Sequence, residues 1–118
     1  MNVAISVLLR RKGDQVFCVP PEVSILAAVA EMNRHRVGAI VVLSGGAIAG
    51  IFTERDVLCR VLGLVDPRTT LVSAVMTRDV ITVSPDTTVE EVAKIFTEKR
   101  CRHLPVVAEG RLTGLISI

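Results

Sequence analysis

Slid against itself, the chain matches at one offset: Val16 to Ile51 falls on Val80 to Leu115, 64 residues on and without a gap. An internal duplication of this kind restricts the fold to one supersecondary unit built twice. Identities lie where backbone geometry is demanding, with Pro21 on Pro85, Gly46 on Gly110 and Gly50 on Gly114, joined by Val19 on Val83 and Val42 on Val106. Conservative pairs such as Ile40 with Leu104 fill the positions between. At 118 residues the chain has room for one compact domain or for two small repeats sharing a core.

Each copy opens with an extended segment, Val16 to Val19 or Val80 to Val83, that runs into a proline and then a helical pattern. Ile25, Ala28, Val29 and Met32 recur at i, i+3, i+4 and i+7, matched by Val89, Val92, Ala93 and Phe96, which makes one face of each helix apolar. Ser24 and either Thr87 or Thr88 mark the helix starts, and Glu90 and Glu91 are placed to reach back as capping-box partners. Two apolar runs follow, Ala39 to Leu43 and Ile48 to Phe52, joined by Ser44-Gly45-Gly46 as a hairpin. The second copy repeats this as Leu104 to Val107, Ala108-Glu109-Gly110 and Leu112 to Ile118.

In the first copy a second helix is predicted from about Glu54 to Leu62, with the stripe Val57, Leu58, Val61 and Leu62 and a stop at Gly63. Asp66 to Thr70 carries linker chemistry, and Leu71 to Met76 reads as a helical turn leading into the second copy, a part that Ile5 to Leu9 plays ahead of the first. The predicted organisation is a first repeat with its lead-in over 1–64, a linker and helical turn over 65–79, and a second repeat over 80–118 that lacks its last helix. The fold class is α+β, two tandem β-α-β-β-α units packed with pseudo-two-fold symmetry.

Composition narrows the function. Half the residues are hydrophobic, yet Trp and Tyr are absent and Phe occurs three times, so the core must be aliphatic. Apolar runs such as Ala39 to Leu43 are far below the roughly 20 residues that cross a bilayer, and no secretory signal pattern opens the chain. Gly46-x-x-x-Gly50 and Gly110-x-x-x-Gly114 spell a membrane packing motif, but here the glycines serve a hairpin and a strand. The net charge of +2 is weak and spread along the chain, which argues against nucleic acid. Cys18, Cys59 and Cys101 are odd in number and isolated, so neither a disulfide framework nor a zinc site is expected and a reducing cytoplasm is the natural setting. No Gly-x-Gly-x-x-Gly, P-loop or helix-borne zinc motif occurs, and Cys101 near His103 lacks an orienting carboxylate. Neither catalysis nor a metal is expected, and His35, within Arg34-His35-Arg36, reads as part of a solvated helix end.

The tandem units, each with a Gly-hydrophobic-hydrophobic-Thr/Ser-x-x-Asp segment that the second copy carries as far as Ile118, resemble the cystathionine-β-synthase (CBS) domain pair, also called a Bateman module. The segments are Gly50-Ile51-Phe52-Thr53-Glu54-Arg55-Asp56 and Gly114-Leu115-Ile116-Ser117-Ile118; further matches are Arg102-His103-Leu104-Pro105-Val106-Val107 and Met76-Thr77-Arg78-Asp79-Val80. The resemblance implies a site between the copies for an adenosyl ligand such as AMP, ADP, ATP, S-adenosylmethionine or NAD(H). It would place Asp56 on ribose hydroxyls, Thr53 on phosphate or ribose, Arg102 and His103 on phosphate, and Ile51 with Val80, Ile81 and Thr82 as walls for the base. Chemistry is compatible with these roles, since a carboxylate accepts two hydrogen bonds from a vicinal diol and helix N-terminal amides suit an anion.

Plainer readings stand beside these. Thr53-x-x-Asp56 is also a helix cap with an acidic third residue, and Arg102 and His103 could form a solvated corner. In function, a ligand-sensing module that signals through its association state competes with a dimerisation scaffold whose site is vestigial, and with a regulatory part of a larger enzyme or transporter. A homodimer is expected, because aliphatic repeats leave helix faces to bury. The two possible sites are expected to be unequal: the positions matching Arg102 and His103 are Gly38 and Ala39, and no Asp follows Ser117 at the matching place.

Overall fold

A computed structural model describes residues 3–12 and 16–118. Its elements in chain order are α1 (Ile5–Lys12), β1 (Cys18–Val19), α2 (Ile25–His35), β2 (Ala39–Ser44), β3 (Ala47–Thr53), α3 (Glu54–Asp56), a π turn (Val57–Val61), a 3-10 turn (Val72–Ala74), α4 (Val89–Lys99), β4 (His103–Ala108) and β5 (Arg111–Ser117). They form two compact units, one of Phe17–Val80 and one that combines the residues before position 17 with Ile81–Ile118.

In the first unit Ser24 caps α2, its Oγ accepting from the Ala27 N–H at 3.1 Å. The helix ends at Arg36, which takes a left-handed φ of 56°, and the next residue's N–H reaches back to the Met32 carbonyl at 3.0 Å, closing the last turn. β1 pairs in parallel with β2, and β2 pairs antiparallel with β3. Gly45 and Gly46, at φ 58° and 82°, supply the two left-handed residues of the connecting turn. Phe52, Ile25, Ile40, Val42, Val61 and Val72 form the core of this unit, each fully buried aliphatic or aromatic side chain being worth about 1.5–3 kcal/mol.

The second unit reproduces these details. Thr88 and Glu91 form a reciprocal capping box at the start of α4, and Arg100, 64 residues after Arg36, is again left-handed at φ 54°. The register irregularity at Val42/Leu43 recurs at Val106/Val107, and Glu109-Gly110 replaces Gly45-Gly46 in the hairpin turn. Ile5, Val83, Val92, Leu104 and Val106 make its core.

Four features depart from the pattern read in sequence. The extended segment Val80 to Val83 is reduced to one bridge, Val83 with Val106. Pro105 is the cause: its counterpart Val41 donates to the Phe17 carbonyl at 3.3 Å, and a proline has no N–H with which to repeat that bond at Ile81. The helix expected from Glu54 to Leu62 is a single α turn followed by a π turn. His35 lies in ring-to-ring contact with Phe17, centroids 3.6 Å apart, and its Nε2 is 3.1 Å from Glu31 Oε2, so it is half-buried and engaged instead of solvated.

The lead-ins are the fourth. Ile5 donates to Thr87 O at 2.9 Å and Val89 to Val3 O at 2.8 Å, so α1 packs with the repeat at 81–118. The turn after Leu71 packs with the repeat before it, Val72 donating to Val23 O and Ile25 to Thr70 O, both at 2.9 Å.

Candidate ligand site

β3 delivers its last residue, Thr53, to the start of α3, held there by pairing with Ala39 and by the Glu54 N–H donating to Gly38 O at 2.9 Å. Thr53 is extended (φ −126°, ψ 163°) and caps the helix. Its Oγ1 accepts from Asp56 N at 3.2 Å, while Asp56 Oδ2 accepts from Thr53 N at 3.0 Å and from Thr53 Oγ1 at 3.2 Å. Asp56 is 6% exposed, and it is the one buried charged residue among those described. A carboxylate removed from water costs several kcal/mol unless its oxygens are bonded, and here the two Thr53 donors serve Oδ2. Oδ1 faces Arg60 Nε at 3.7 Å, an ion pair beyond hydrogen-bond distance, and retains acceptor capacity.

The i, i+4 spacing of Arg60 from Asp56 is the signal of this pair in the sequence. Arg60 Nη1 donates to the carbonyls of Val75 and Met76, both at 3.3 Å, tying the π turn to the segment after Leu71. That segment continues to Thr77, which exchanges two backbone bonds of 2.9 Å with Ile51. Gly50 permits the approach, since a Cβ there would stand 2.7 Å from both Met76 Sδ and Thr77 O. Thr77 therefore belongs to the same corner as Ile51, Thr53 and Asp56, and its signal in sequence was the run Met76 to Val80. Val80 closes this unit, half-buried, with its N–H on Arg78 O at 3.0 Å.

The remaining candidates lie in the other unit. Arg102 is exposed just before β4, and its side chain has no hydrogen bond or ion pair among the described residues. His103 opens β4 opposite Ser117, with Nδ1 2.9 Å from Ser117 Oγ. Ser117 thus bonds the imidazole at the position where its counterpart Thr53 caps a helix. Ile81 packs against the core of this unit, whereas Thr82 is exposed and opens on a cleft of about 620 Å³ shared with Ser84, Thr87 and Lys94. Among the described residues no cluster of three His, Cys, Asp or Glu could hold an ion, and no helix is long and apolar enough to cross a membrane. Burial pushes the Cys18 thiol above its ordinary 9.0, away from nucleophilic activation.

Comparison with known proteins identifies the family. A family model for the CBS domain matches residues 9–63 and 72–118. A mitochondrial CBS domain-containing protein of Arabidopsis thaliana is 34% identical over 129 residues, covering 99% of this chain and 62% of its own length. The crystal structure of a CBS-domain containing protein from Agrobacterium tumefaciens superposes with a TM-score of 0.91 at 40% identity, covering 98% of this chain and 94% of that one. The CBS domain pair of the protein MJ0100, solved with 5′-methylthioadenosine and S-adenosyl-L-methionine, shares the fold at a TM-score of 0.85 and 21% identity, covering 99% of this chain and 90% of that one. Two family matches laid over two structurally equivalent units leave one assignment: the chain belongs to the CBS domain family, as a tandem pair of such domains.

Proposed function

We propose that this CBS pair is a non-catalytic regulatory module that binds an adenosyl ligand and signals its occupancy through association state. The observation that carries the reading is the buried carboxylate of Asp56, set at a strand-to-helix corner with Thr53 and keeping acceptor capacity on Oδ1. In this reading Asp56 takes the ribose hydroxyls and Thr53 the ribose or phosphate, while Arg102 and His103 hold the phosphate. Ile51, Val80, Ile81 and Thr82 flank the base, which aliphatic side chains and backbone groups would recognise in a chain with no Trp or Tyr. The ligand class, among AMP, ADP, ATP, S-adenosylmethionine and NAD(H), is supported by the adenosyl compounds bound to the MJ0100 pair. Self-association as a homodimer is supported by Leu58, Leu62 and Leu64, which are 70%, 59% and 69% exposed on one unit. The module would work in the cytoplasm, without metal, membrane or nucleic acid.

Thermal melting against each compound tests this. A ligand at about 100 times its dissociation constant adds about 2.7 kcal/mol of stability, and Asp56→Ala is expected to remove that gain. Calorimetry is expected to give one ligand per chain. The competing reading, a scaffold with no ligand, draws on the fact that the capping box accounts for Thr53 and for Asp56 Oδ2 without a guest. No shift with any adenosyl compound, together with an unchanged mass by light scattering, would select the scaffold.

A further inference from the structure

Two sets of partners compete for Arg60 in the first unit. Its Nη1 donates to Val75 O and Met76 O, both at 3.3 Å, just past the usual hydrogen-bond range. Its Nε stands 3.7 Å from Asp56 Oδ1, too far for a hydrogen bond. A guanidinium four residues beyond a carboxylate is drawn onto it, because charge-assisted bonds are shorter and stronger than bonds to neutral carbonyls. Here the pair stays open. The two carbonyls that hold Arg60 are themselves fixed: the Val75 and Met76 amides both donate to Val72 O, at 3.1 and 3.0 Å, and Thr77 exchanges two 2.9 Å bonds with Ile51. Met76 Sδ and Cγ lie 2.7 and 2.8 Å from where a Cβ on Gly50 would stand, so this segment is seated directly on β3.

The carboxylate is held without Arg60. Thr53 N and Oγ1 donate to Oδ2 at 3.0 and 3.2 Å, and because a carboxylate is planar these bonds set the direction of Oδ1 as well. Arg60 therefore adds charge beside Oδ1 and leaves its lone pairs unused.

We propose that Arg60 is a positioning residue of the ribose site: anchored on the carbonyls of Val75 and Met76, it is kept off Asp56 Oδ1, which stays open to a ribose hydroxyl. This rests on the reading of Asp56 as the ribose acceptor. It makes the segment 75–77 a control on the site. Displacement of that segment from β3 frees the guanidinium to close on Asp56, and the ribose must then compete with an internal cation for the same lone pairs.

Gly50→Ala supplies the displacement, since its Cβ would press on Met76 Sδ and Thr77 O. Adenosine and 2′,3′-dideoxyadenosine, which lacks both ribose hydroxyls, are titrated into the full chain by calorimetry. The wild type is expected to prefer adenosine at least about tenfold, one hydrogen bond to a charged acceptor being worth roughly a decade of affinity. Gly50→Ala is expected to cut that preference at least about fivefold, and Arg60→Met added to Gly50→Ala to restore it. A purely structural role for Arg60 predicts the opposite, a double variant poorer than Gly50→Ala alone. By NMR the Arg60 Nε–H is expected to exchange quickly with water in the wild type and slowly in Gly50→Ala. The wild-type signal is read without ligand, and whether or not Gly50→Ala folds. Slow exchange in the wild type, a preference that Gly50→Ala leaves intact, or one that Arg60→Met fails to restore would overturn the proposal while the ribose reading stood. A wild type that does not prefer adenosine would overturn the ribose reading, and the proposal with it.

Discussion

Substituting Gly50 by alanine tests how the first unit closes on the segment 75–77. The new Cβ would stand 2.7 Å from Met76 Sδ and 2.7 Å from Thr77 O, well inside contact distance. Met76 is 4% exposed and packed in the core, so its sulfur cannot swing away. Thr77 O is backbone, and it accepts the 2.9 Å bond from Ile51 that Thr77 returns at the same length. Relief therefore requires the segment to move off β3, stretching both bonds. Overpacking of this kind costs about 1–3 kcal/mol, and each weakened bond adds about 0.5–1.5 kcal/mol. Replacing glycine returns about 0.4–1 kcal/mol by restricting the unfolded chain. The net expectation is a loss of about 1–5 kcal/mol, or a fall in melting temperature of roughly 5–25 °C.

Gly114 is the internal control, being the same position one repeat later. Its Cβ would stand 3.0 Å from both methyl carbons of Leu9, and a flexible side chain can give way by a few tenths of an ångström. Gly114→Ala is therefore expected to cost less than about 1 kcal/mol once the unfolded-state gain is included. Urea unfolding followed by circular dichroism measures both variants, and hydrogen exchange at Ile51 and Thr77 reports the bonds directly. If Gly50→Ala proves as stable as Gly114→Ala, the reasoning from close backbone approach is wrong.

Other outcomes are expected from the same structure. Asp56→Ala deletes the carboxylate half of a capping box and should cost about 1–3 kcal/mol in urea unfolding, with Asp56→Asn milder. Arg60→Met removes the donor to Val75 O and Met76 O; because the side chain is half exposed, a loss of only about 1 kcal/mol is expected by thermal melting. Iodoacetamide at neutral pH should modify exposed Cys59 well before Cys18, as mass spectrometry of timed aliquots would show. Since burial raises the folded Cys18 above 9.0, its contribution to stability is intact below that pH and lost as pH rises through the folded value, so Cys18→Ala should flatten the alkaline fall. Chelator treatment should leave the melting temperature unchanged, in keeping with the lack of a ligand cluster among the described residues.

What could be read in the sequence was local, or repeated. Ser24, and Thr88 with Glu91, announced their helices because capping depends on residues three apart, and the hairpin turns were legible because glycine tolerates positive φ. The Thr53–Asp56 corner was visible for the same reason. Pro105 shows where local reading fails: Val80 to Val83 has strand composition, but pairing depends on a donor that a residue more than twenty positions away does not possess. The Arg60 bonds to Val75 and Met76 join residues fifteen and sixteen positions apart, beyond any helical period. Both lead-ins were read as belonging to the repeat that follows them, whereas each packs with the other one.

That exchange of lead-ins has a consequence for synthesis. Among the described residues the core cluster of this unit is drawn from residues 17–80, so this unit can assemble its core while the rest of the chain is still being made. Helix α1 emerges earlier, yet Ile5 must wait for Thr87, Val92 and Leu104 before its apolar face is covered. Closing so long a loop costs entropy that grows only slowly with length, so the delay is set by translation more than by the search. Helix α1 is therefore expected to be among the last of these elements to find its place.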